Sequence, residues 1–375
     1  MIVAHVITGL NNGGAEAVLY RLCLADSKNT HVVTSLRGEG KYGPLLKTAG
    51  ITVHCLDMPR GLLTPVGLWR LARLLRHLRP DVVQTWMYHA DLLGGLVARA
   101  VGIRAVFWGI RQTDLQQGKT KRTTILVARL CALLSRWVPK RIVSCAQQGM
   151  VVHQALGYAK DKFRVIPNGY DLSRLAPDAH SGCALRSTLG VPDGMPLLGN
   201  VARFHPQKDH HNLIAALGLL KQNGLDFRCL LIGDGMTDTN AELMAWLDTH
   251  NVRAEVLLLG PRSDITSVMN ALDVNVLSSS YGEGFPNVLC EAMACGTPCV
   301  TTDVGDAGLI VANTGWVVPA RSAEALARAM TAAIEEQLAD PVAWELRQKQ
   351  AHLRIHNNYS NEEMVRNFNL VWLEN

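Results

Sequence analysis

The chain has 375 residues, enough for two domains that each bury a core of their own. Its hydrophobic content of 48% and charged content of 18% are typical of a globular protein and exclude a disordered chain. The first 167 residues hold 23 Lys and Arg against 8 Asp and Glu, whereas the remainder holds 14 against 24. The first half is therefore the one expected to face an anion, and we expect no nucleic acid as a partner.

The first residues, MIVAHVITGL, carry no basic region before a short apolar run. They predict a strand rather than a signal peptide, and a cytoplasmic protein. The nine cysteines form no Cys-x-x-Cys pair, so we predict buried thiols in a reducing compartment, not zinc ligands or disulfides. No Asp-x-Asp triplet occurs, which removes a common way of holding a metal against a diphosphate. We therefore predict neither a metal nor another cofactor.

Short apolar runs alternate with helical patterns along the whole chain, which predicts parallel sheets covered on both faces. A segment rich in Pro, Gly, Asn and Asp separates two such series and predicts a hinge. We expect an α/β protein of two Rossmann-like, doubly wound domains that face a cleft. The predicted parts are a first domain (1–166), a hinge (167–182), a second domain (183–355) and a C-terminal helix (356–375) that returns to the first domain. The predicted strands are 2–8, 81–84, 105–108 and 141–145, then 196–202, 228–232, 255–259, 274–277 and 298–301.

The loop GLNNGGAEAVL follows the first predicted strand and opens a helix. Gly13 and Gly14 remove side chains where a backbone approaches a ligand closely, and a helix start offers N–H groups to an anion. The spacing differs from the G-x-G-x-x-G of dinucleotide enzymes, which makes nicotinamide chemistry the least favoured interpretation. A plain tight turn is the alternative.

Two basic amphipathic stretches, residues 65–80 and 119–141, hold 11 of the 23 Lys and Arg of the first half. The first sets Arg70, Arg73, Arg76 and Arg79 among leucines, and the second mixes seven basic residues with an apolar side. Such helices can lie on anionic lipid. The alternative is an ordinary helix whose apolar side packs in the core.

The segment GNVARFHPQKDHHNL puts Arg203 and Lys208 at the end of a predicted strand, just before a helix with Asp209 as its expected cap. A guanidinium and an ammonium at such a place suit a pyrophosphate. A pair of solvated surface charges is the alternative. Gly235 in LIGDGM and Arg262 in LGPRSDI supply two further turns at strand ends.

The segment GEGFPNVLCEAMACGTPCV places Glu283 in a loop and Glu291 inside a helix that begins near Pro286 and ends near Gly296. Solvent-facing side chains would be the simplest account of both glutamates. The neighbours of Glu291 are apolar, however, so its carboxylate needs a polar partner that the sequence does not reveal.

The order of these segments resembles the retaining GT-B glycosyltransferases of the family-4 type over nearly the whole chain. The resemblance rests on GGAE, IPNGYD, ARFHPQKD, IGDG and above all Glu-x7-Glu from Glu283 to Glu291. It implies that Arg203 and Lys208 hold the donor diphosphate, that Glu291 binds the ribose and that Glu283 contacts the donor sugar. It also implies that the backbone of Gly284, Phe285, Pro286, Asn287 and Val288 meets the sugar and phosphate, and that Gly13, Gly14, Gly235 and Arg262 help to bind the donor. Under this resemblance, residues 1–166 bind the acceptor and residues 183–355 bind the donor.

One segment departs from the family pattern. Related enzymes often carry a histidine at the end of the strand that here reads AVFWGIRQTD, where Arg111 stands near the expected position. His89, after the preceding strand, is the nearest substitute and therefore the candidate catalytic histidine. A satisfied polar residue at a helix start is the alternative. Arg111 is expected to bind an anion of the donor or of a phosphorylated acceptor.

The resemblance and the basic stretches together predict a metal-independent retaining hexosyltransferase. It would move a sugar from a nucleotide sugar, a UDP-hexose or UDP-N-acetylhexosamine, to a saccharide on a polyprenyl diphosphate. We expect it on the inner, anionic face of the cytoplasmic membrane, in O-antigen, lipopolysaccharide or capsule synthesis. The alternatives are a sugar-nucleotide epimerase or hydrolase on the same architecture, and a noncatalytic sugar-nucleotide binding module.

Overall fold

The protein is described by a computed structural model that covers residues 1–59, 64–113 and 121–374. The chain forms two compact units: unit 1 contains Met1–Gly169 and Asn361–Asn375, and unit 2 contains Tyr170–Ser360. Each unit is built on one parallel sheet in an α/β arrangement, which confirms the fold class predicted from the sequence.

The sheet of unit 1 has seven described strands in the order β3-β2-β1-β4-β5-β6-β7, and every neighbouring pair is parallel. In chain order its elements are β1 (Ile2–Ile7), α1 (Gly14–Ala25), β2 (Thr30–Ser35), α2 (Tyr42–Thr48), β3 (Thr52–Cys55), α3 (Pro65–Leu78), β4 (Val82–Trp86), α4 (Tyr88–Ala100), β5 (Val106–Ile110), α5 (Arg122–Leu134), β6 (Arg141–Ser144), α6 (Gln147–Ala155) and β7 (Phe163–Val165).

The sheet of unit 2 has six described strands in the order β10-β9-β8-β11-β12-β13, again all parallel. Its elements are α7 (Ala179–Thr188), β8 (Leu197–Val201), α8 (His210–Gln222), β9 (Arg228–Ile232), α9 (Ala241–Thr249), β10 (Val256–Gly260), α10 (Ile265–Ala271), β11 (Val274–Leu277), α11 (Asn287–Ala294), β12 (Cys299–Thr302), α12 (Ala307–Val311), β13 (Trp316–Val318), α13 (Ala323–Ala339) and α14 (Pro341–Asn358).

The last helix, α15 (Asn361–Leu373), belongs to unit 1. Phe368 and Trp372 are buried in one core cluster with residues of β1 and α1. The Trp372 indole donates to Gln84 Oε1 at 3.1 Å, and Glu374 pairs with both Arg141 and Arg164. The chain therefore closes the core of its first unit with its final residues.

The strand orders fix where each sheet reverses. Successive strands spread in opposite directions from β1 and β4 in unit 1, and from β8 and β11 in unit 2. In such sheets the loops after the two central strands diverge and leave a crevice beyond their carboxyl ends, where ligands bind. Ligands are therefore expected at the loops after β1, β4, β8 and β11.

The nine cysteines are free thiols, seven of them buried. The prediction of buried thiols is wrong for Cys183, which is exposed, and for the half-buried Cys55. Cys183 lies on α7, a helix with only two buried residues, Gly182 and Leu185.

Candidate active site

The loop after β8 carries two cations toward the crevice of unit 2. Arg203 is exposed, and Lys208 is half-buried in a single 3-10 turn. Asp209 caps the following helix α8 by accepting from the Asn212 N–H at 3.4 Å, as the sequence predicts. Burial, and then the charges of Arg203 and Lys208, lower the pKa of His205 between them. The loop thus concentrates positive charge at one edge of the crevice.

Glu283, in the loop after β11, forms an ion pair with Lys208 of the loop after β8. Its Oε1 lies 2.6 Å from Lys208 Nζ and accepts a second hydrogen bond, also 2.6 Å long, from Ser279 Oγ. The side chains of Lys208 and Glu283 are only 17% and 8% exposed, so the ion pair is largely removed from water. The two loops are tied once more by Ser278 Oγ, which donates to the Lys208 carbonyl at 2.7 Å. The carboxylate and the ammonium therefore hold each other in place.

Two glycines let the surrounding loops approach closely. Gly233 has φ 143°, and a Cβ there would overlap the carbonyl oxygen of Ala202 at the end of β8. Gly305 has φ 64°, and its Cβ would overlap the carbonyl oxygen of Glu283. A side chain at either glycine would push a site loop out of position.

The remaining turn residues lie at neighbouring strand ends. Gly235, after β9, has φ 80° and packs against Phe204. Arg262, after β10, forms an ion pair with Asp264, its Nε lying 2.9 Å from Oδ1. The guanidinium of Arg262 is therefore held by an acid of its own loop.

Helix α11 begins directly after the Glu283 loop. Pro286 is its N-cap residue rather than part of its first turn, and no side chain caps the helix. Asn287 is its first residue, and its Oδ1 accepts from the hydroxyl of Tyr170 at 2.5 Å. Glu291 is half-buried in the second turn. The helix start and both glutamates thus lie on one continuous segment.

The loop before this helix packs against Asp306 and Tyr359. Gly284 accepts from the Asp306 N–H at 3.0 Å, and the buried Phe285 ring meets Tyr359 edge-on, with 5.4 Å between centroids. Val288 is half-buried in the first turn. The start of this backbone segment, at Gly284 and Phe285, is thus held by contacts from two other parts of unit 2.

In unit 1, Gly13 is the N-cap of α1 and Gly14 its first residue. A Cβ at Gly14 would meet nothing within 4 Å, and at Gly13 it would meet the movable Glu16 carboxylate. Packing within the chain therefore does not require a glycine at either position. Their surroundings leave room for a ligand at the start of α1.

His89 lies in the first turn of α4, after a residue with an unusual backbone. Met87, the N-cap, has φ 70° and ψ 157°, a conformation costly for a residue with a side chain. Burial, and then the charge of Arg37, lower the pKa of His89. Burial and the nearby arginine therefore both favour the neutral form of the imidazole.

Arg111 lies just after β5. The Cζ atom of its guanidinium lies 4.6 Å from the centroid of the Trp86 ring, and its Nη1 donates to Asn168 Oδ1 at 3.0 Å. Its Nε and Nη2 atoms are buried and have no oxygen or nitrogen partner among the residues that the structure describes. The guanidinium also interacts with the thiol of Cys145, so ring, amide and sulfur contacts hold Arg111 inside unit 1. No described contact links it to His89.

Sequence reasoning missed Ser279, Tyr170 and Arg37. Ser279 lies in a run of three serines directly after β11, one of the two central strands of the sheet in unit 2. Polar residues that follow a strand in this way are the sequence signal that could have indicated Ser279. Tyr170 lies in the predicted hinge and contacts a residue 117 positions away, which no local pattern reveals.

Among the described residues, one group of three could offer ligands to a metal: His5, Cys23 and His31, all buried in unit 1. His5 Nε2 and His31 Nδ1 are hydrogen-bonded to each other at 2.9 Å, and the Trp86 indole donates to His5 Nδ1 at 3.1 Å. A His5 that accepts at Nδ1 carries its proton on Nε2, so that nitrogen is not available to a metal. The cluster is a structural hydrogen-bond network.

The fold and the site define a two-domain α/β enzyme with a cationic, carboxylate-bearing crevice. The family model described as Glycosyl transferases group 1 matches residues 184–352, and the model Glycosyltransferase Family 4 matches residues 12–174. Together the two models span nearly the whole chain. The chain is a GT-B glycosyltransferase of the family-4 type.

Two bacterial relatives and one solved structure illustrate this kinship. Glycosyltransferase EpsF of Bacillus subtilis is 27% identical over 315 residues, which cover 80% of this chain and 79% of EpsF. A UDP-Gal:alpha-D-GlcNAc-diphosphoundecaprenol alpha-1,3-galactosyltransferase of Escherichia coli is 27% identical over 249 residues, 66% of this chain and 64% of that protein. Anabaena HepE in complex with UDP superposes with a TM-score of 0.85 at 22% identity over 99% of both chains, and shares the fold.

Proposed function

We propose that this glycosyltransferase retains anomeric configuration and moves a hexosyl or N-acetylhexosaminyl group from a UDP-sugar to a polyprenyl-diphosphate-linked saccharide. The observation that carries the proposal is the ion pair of Lys208 with Glu283 at the switch point of unit 2, formed by the same loop that carries Arg203. Support for the donor comes from HepE, whose complexes contain UDP and UDP-glucose. Support for the acceptor comes from the name of the Escherichia coli galactosyltransferase.

The charges of the site suit the departure of a nucleoside diphosphate. As the bond to the sugar breaks, negative charge accumulates on the leaving phosphate, and preorganised cations stabilise it as it forms. Arg203 and Lys208 would supply this stabilisation, and the start of α11 adds backbone N–H groups and the positive end of a helix dipole. Because these groups supply the positive charge, the proposed reaction uses no metal.

The two glutamates divide the recognition of the donor. Glu283, fixed by Lys208 and Ser279, would accept from hydroxyl groups of the transferred sugar. Glu291, in the second turn of α11, would accept from the ribose hydroxyls. His89 and Arg111, in unit 1, would face the acceptor side.

A product assay tests the reaction. The full chain, incubated with a UDP-sugar panel and lipid-linked saccharides, should form product only when the acceptor is present, and EDTA should not slow it. Arg203→Ala should reduce turnover by about 100-fold, the scale for losing one preorganised charge stabiliser. Arg174→Ala, an exposed arginine of the same unit, is the matched control. Release of free sugar at the same rate without acceptor would identify a hydrolase instead.

We further propose that unit 1 rests on the inner membrane surface through the layer of α3, α4 and α5. Their buried sides share one core cluster, so the three helices cover the same face of the sheet. The outward sides display large apolar residues at exposures of 41–64%, and no helix of the described chain combines the length and apolar content to span a bilayer. The exposed apolar residues are Val66 and Trp69 on α3, Leu96 on α4, Leu126, Leu130 and Leu133 on α5, and Trp137 just after α5.

Basic residues surround this apolar surface. Arg122, Arg129 and Arg136 are exposed, and none forms an ion pair within the described part of the chain. Each basic residue near an anionic leaflet contributes about 1 kcal/mol. Lys119 belongs to the predicted basic stretch but lies outside the described residues.

Liposome flotation tests the membrane proposal. The wild type should float with anionic but not neutral vesicles at low salt and detach near 1 M salt, where screening shortens to about 3 Å. Changing Lys121, Arg122, Arg129 and Arg136 to Gln should abolish flotation. Changing four exposed basic residues of unit 2, Arg174, Arg321, Arg328 and Lys349, to Gln should leave it intact. Wild type that ignores anionic vesicles would overturn the proposal.

A further inference from the structure

Unit 1 contains a cleft of about 300 Å³ at the carboxyl edge of its sheet, between the ends of β1 and β2 and the helices α4 and α5. Its walls are largely apolar and include Leu36, Met58, Leu92, Leu126 and Val127. Thr8, Arg37, His89 and Thr123 contribute the polar groups. The volume lies at the lower end of the range for small-molecule sites.

The polar groups of the cleft suit an anion. Arg37 is half-buried and forms no ion pair among the described residues. Its side chain lies beside the β1–α1 loop, where a Cβ at Gly9 would meet Arg37 Cδ at 3.9 Å. An arginine with free donors beside a loop edge binds phosphate in bidentate fashion. An apolar ligand alone would leave this charge unused.

The apolar walls suit a hydrocarbon chain, because removing apolar surface from water yields roughly 25 cal/mol per Å². Leu126 connects the cleft to the surface: it lines the cleft and is also 60% exposed on α5. The apolar surface of the cleft therefore continues into the proposed membrane surface. A chain anchored in a bilayer has a continuous apolar path to this position.

We infer that the cleft binds the first apolar segment of the lipid-linked acceptor, with Arg37 holding the phosphate next to it. This inference rests on the proposed function and names the part of the acceptor that unit 1 recognises. It makes Arg37 and Val127 determinants of acceptor choice. The saccharide beyond the phosphate would be bound by residues outside this cleft.

The test measures binding of farnesyl diphosphate to the full chain by calorimetry in the absence of membranes. Inorganic pyrophosphate and farnesol, each half of the probe, should bind at least 10-fold more weakly than farnesyl diphosphate. Arg37→Gln should weaken binding of farnesyl diphosphate about 10-fold, and Val127→Trp, which fills the cleft, should do the same. The matched controls are Arg104→Gln and Val151→Trp, exposed residues of unit 1 outside the cleft, and both should bind as the wild type does.

The outcomes separate this inference from the proposed function. Pyrophosphate binding as tightly as farnesyl diphosphate would show an anion site without a chain site and overturn the inference. Unchanged affinity in both folded cleft variants, together with sugar transfer to lipid-linked acceptors, would overturn the inference and leave the proposed function standing. Transfer to no lipid-linked acceptor, with sugar transfer to soluble saccharides retained, would overturn the proposed function.

Discussion

Lys208 serves the fold as well as the proposed chemistry, because its partner Glu283 is nearly buried. Lys208→Ala would leave that carboxylate unpaired and should cost roughly 3 kcal/mol of stability, the lower end of the range for breaking a buried pair. The double variant Lys208→Met with Glu283→Gln removes both charges and should recover most of this loss. Its turnover should remain at least about 100-fold below the wild type.

Urea unfolding and a transfer assay on the same samples check this prediction. The amide that replaces the Glu283 carboxylate is uncharged but can still accept from Ser279, so the comparison isolates the ion pair. Recovery of activity along with stability in the double variant would mean that Lys208 acts only as a structural partner.

Substitutions of Glu283 and Glu291 should affect the binding of UDP and of the UDP-sugar differently. If Glu291 holds the ribose, Glu291→Ala should weaken free UDP and UDP-sugar alike, whereas Glu283→Ala should weaken mainly the UDP-sugar. Calorimetry with both ligands decides between them. Equal losses of UDP affinity in both variants would show that the roles are wrongly assigned.

Asp91 gives unit 1 a carboxyl group that is half protonated near neutral pH. Its Oδ1 accepts from Thr85 Oγ1 at 2.5 Å and from the Gly109 N–H at 3.1 Å, while Oδ2 has no hydrogen-bond partner among the described residues. Burial raises the pKa of Asp91 to about 7, although these two hydrogen bonds and the charge of Arg111 oppose the shift. The folded state therefore binds a proton that the unfolded chain releases near pH 4.

Asp91→Asn should reveal this proton. A raised pKa contributes stability that is present below the unfolded value and is lost as the pH rises toward 7. The amide of this variant keeps the accepting oxygen but never ionises, so its stability relative to the wild type should rise from pH 4 to pH 7 and then stay level. A difference independent of pH in urea unfolding would mean that Asp91 is ionised throughout.

At the scale of elements, α11 is held in place by a residue at the start of unit 2. Tyr170 is 2% exposed, donates to Asn287 at the first position of α11, and bonds through its N–H to the Tyr359 carbonyl at 3.0 Å. The Tyr359 ring in turn packs on Phe285. Tyr170 is thus a positioning residue for the loop proposed to meet the donor sugar.

Tyr170→Phe should raise the KM for the donor by about 5-fold, since one neutral hydrogen bond contributes on the order of 1 kcal/mol. The KM for the acceptor should not change. Tyr158→Phe, which removes a buried hydroxyl of unit 1, is the matched control. A lower melting temperature with unchanged donor KM would indicate a merely structural role for Tyr170.

For the whole molecule, the alternation of apolar runs and helical patterns was enough to predict two parallel sheets. It missed β2, β3, β7 and β13. Three of these are strands of three or four residues with at most one buried residue each, unlike β11 and β12, which are equally short but fully buried. The fourth, β2, is buried but contains His31, whose partners are His5 and Asp26 in other elements. Pairings of this kind leave no trace in a local pattern.

The candidate site was predictable to the same extent. A strand end indicated Arg203 and Lys208, because functional residues gather at the carboxyl edge of such sheets, and the Glu-x7-Glu motif indicated Glu283. The ion pair that joins Lys208 to Glu283 spans 75 positions and depends on β8 lying next to β11. Only the strand order, which follows from packing rather than from sequence period, brings them together.

Buried histidines in both units should make the whole protein sensitive to acid. Burial lowers the pKa of His5 well below its usual value, and lowers those of His153 and His210 to about 4. These rings stay neutral in the folded state while the unfolded chain takes up protons below about pH 6.5. Each therefore costs stability as the pH falls from 6.5 to 4, by roughly 1 kcal/mol per pH unit.

Protonation of Asp91 stabilises the folded state as the pH falls from 6.5 to 4, which opposes the effect of the histidines. Asp91 is a single group, whereas three buried histidines lose stability over this pH range. The free energy of unfolding should therefore fall as the pH is lowered from 6.5 to 4. His153→Gln should flatten this dependence, because Gln binds no proton, whereas His180→Gln, at an exposed position, should not alter it. Urea unfolding at half-unit pH intervals provides the measurement. A stability that is level from pH 6.5 to 4 in the wild type would contradict neutral, buried rings and require protonated histidines in both cores.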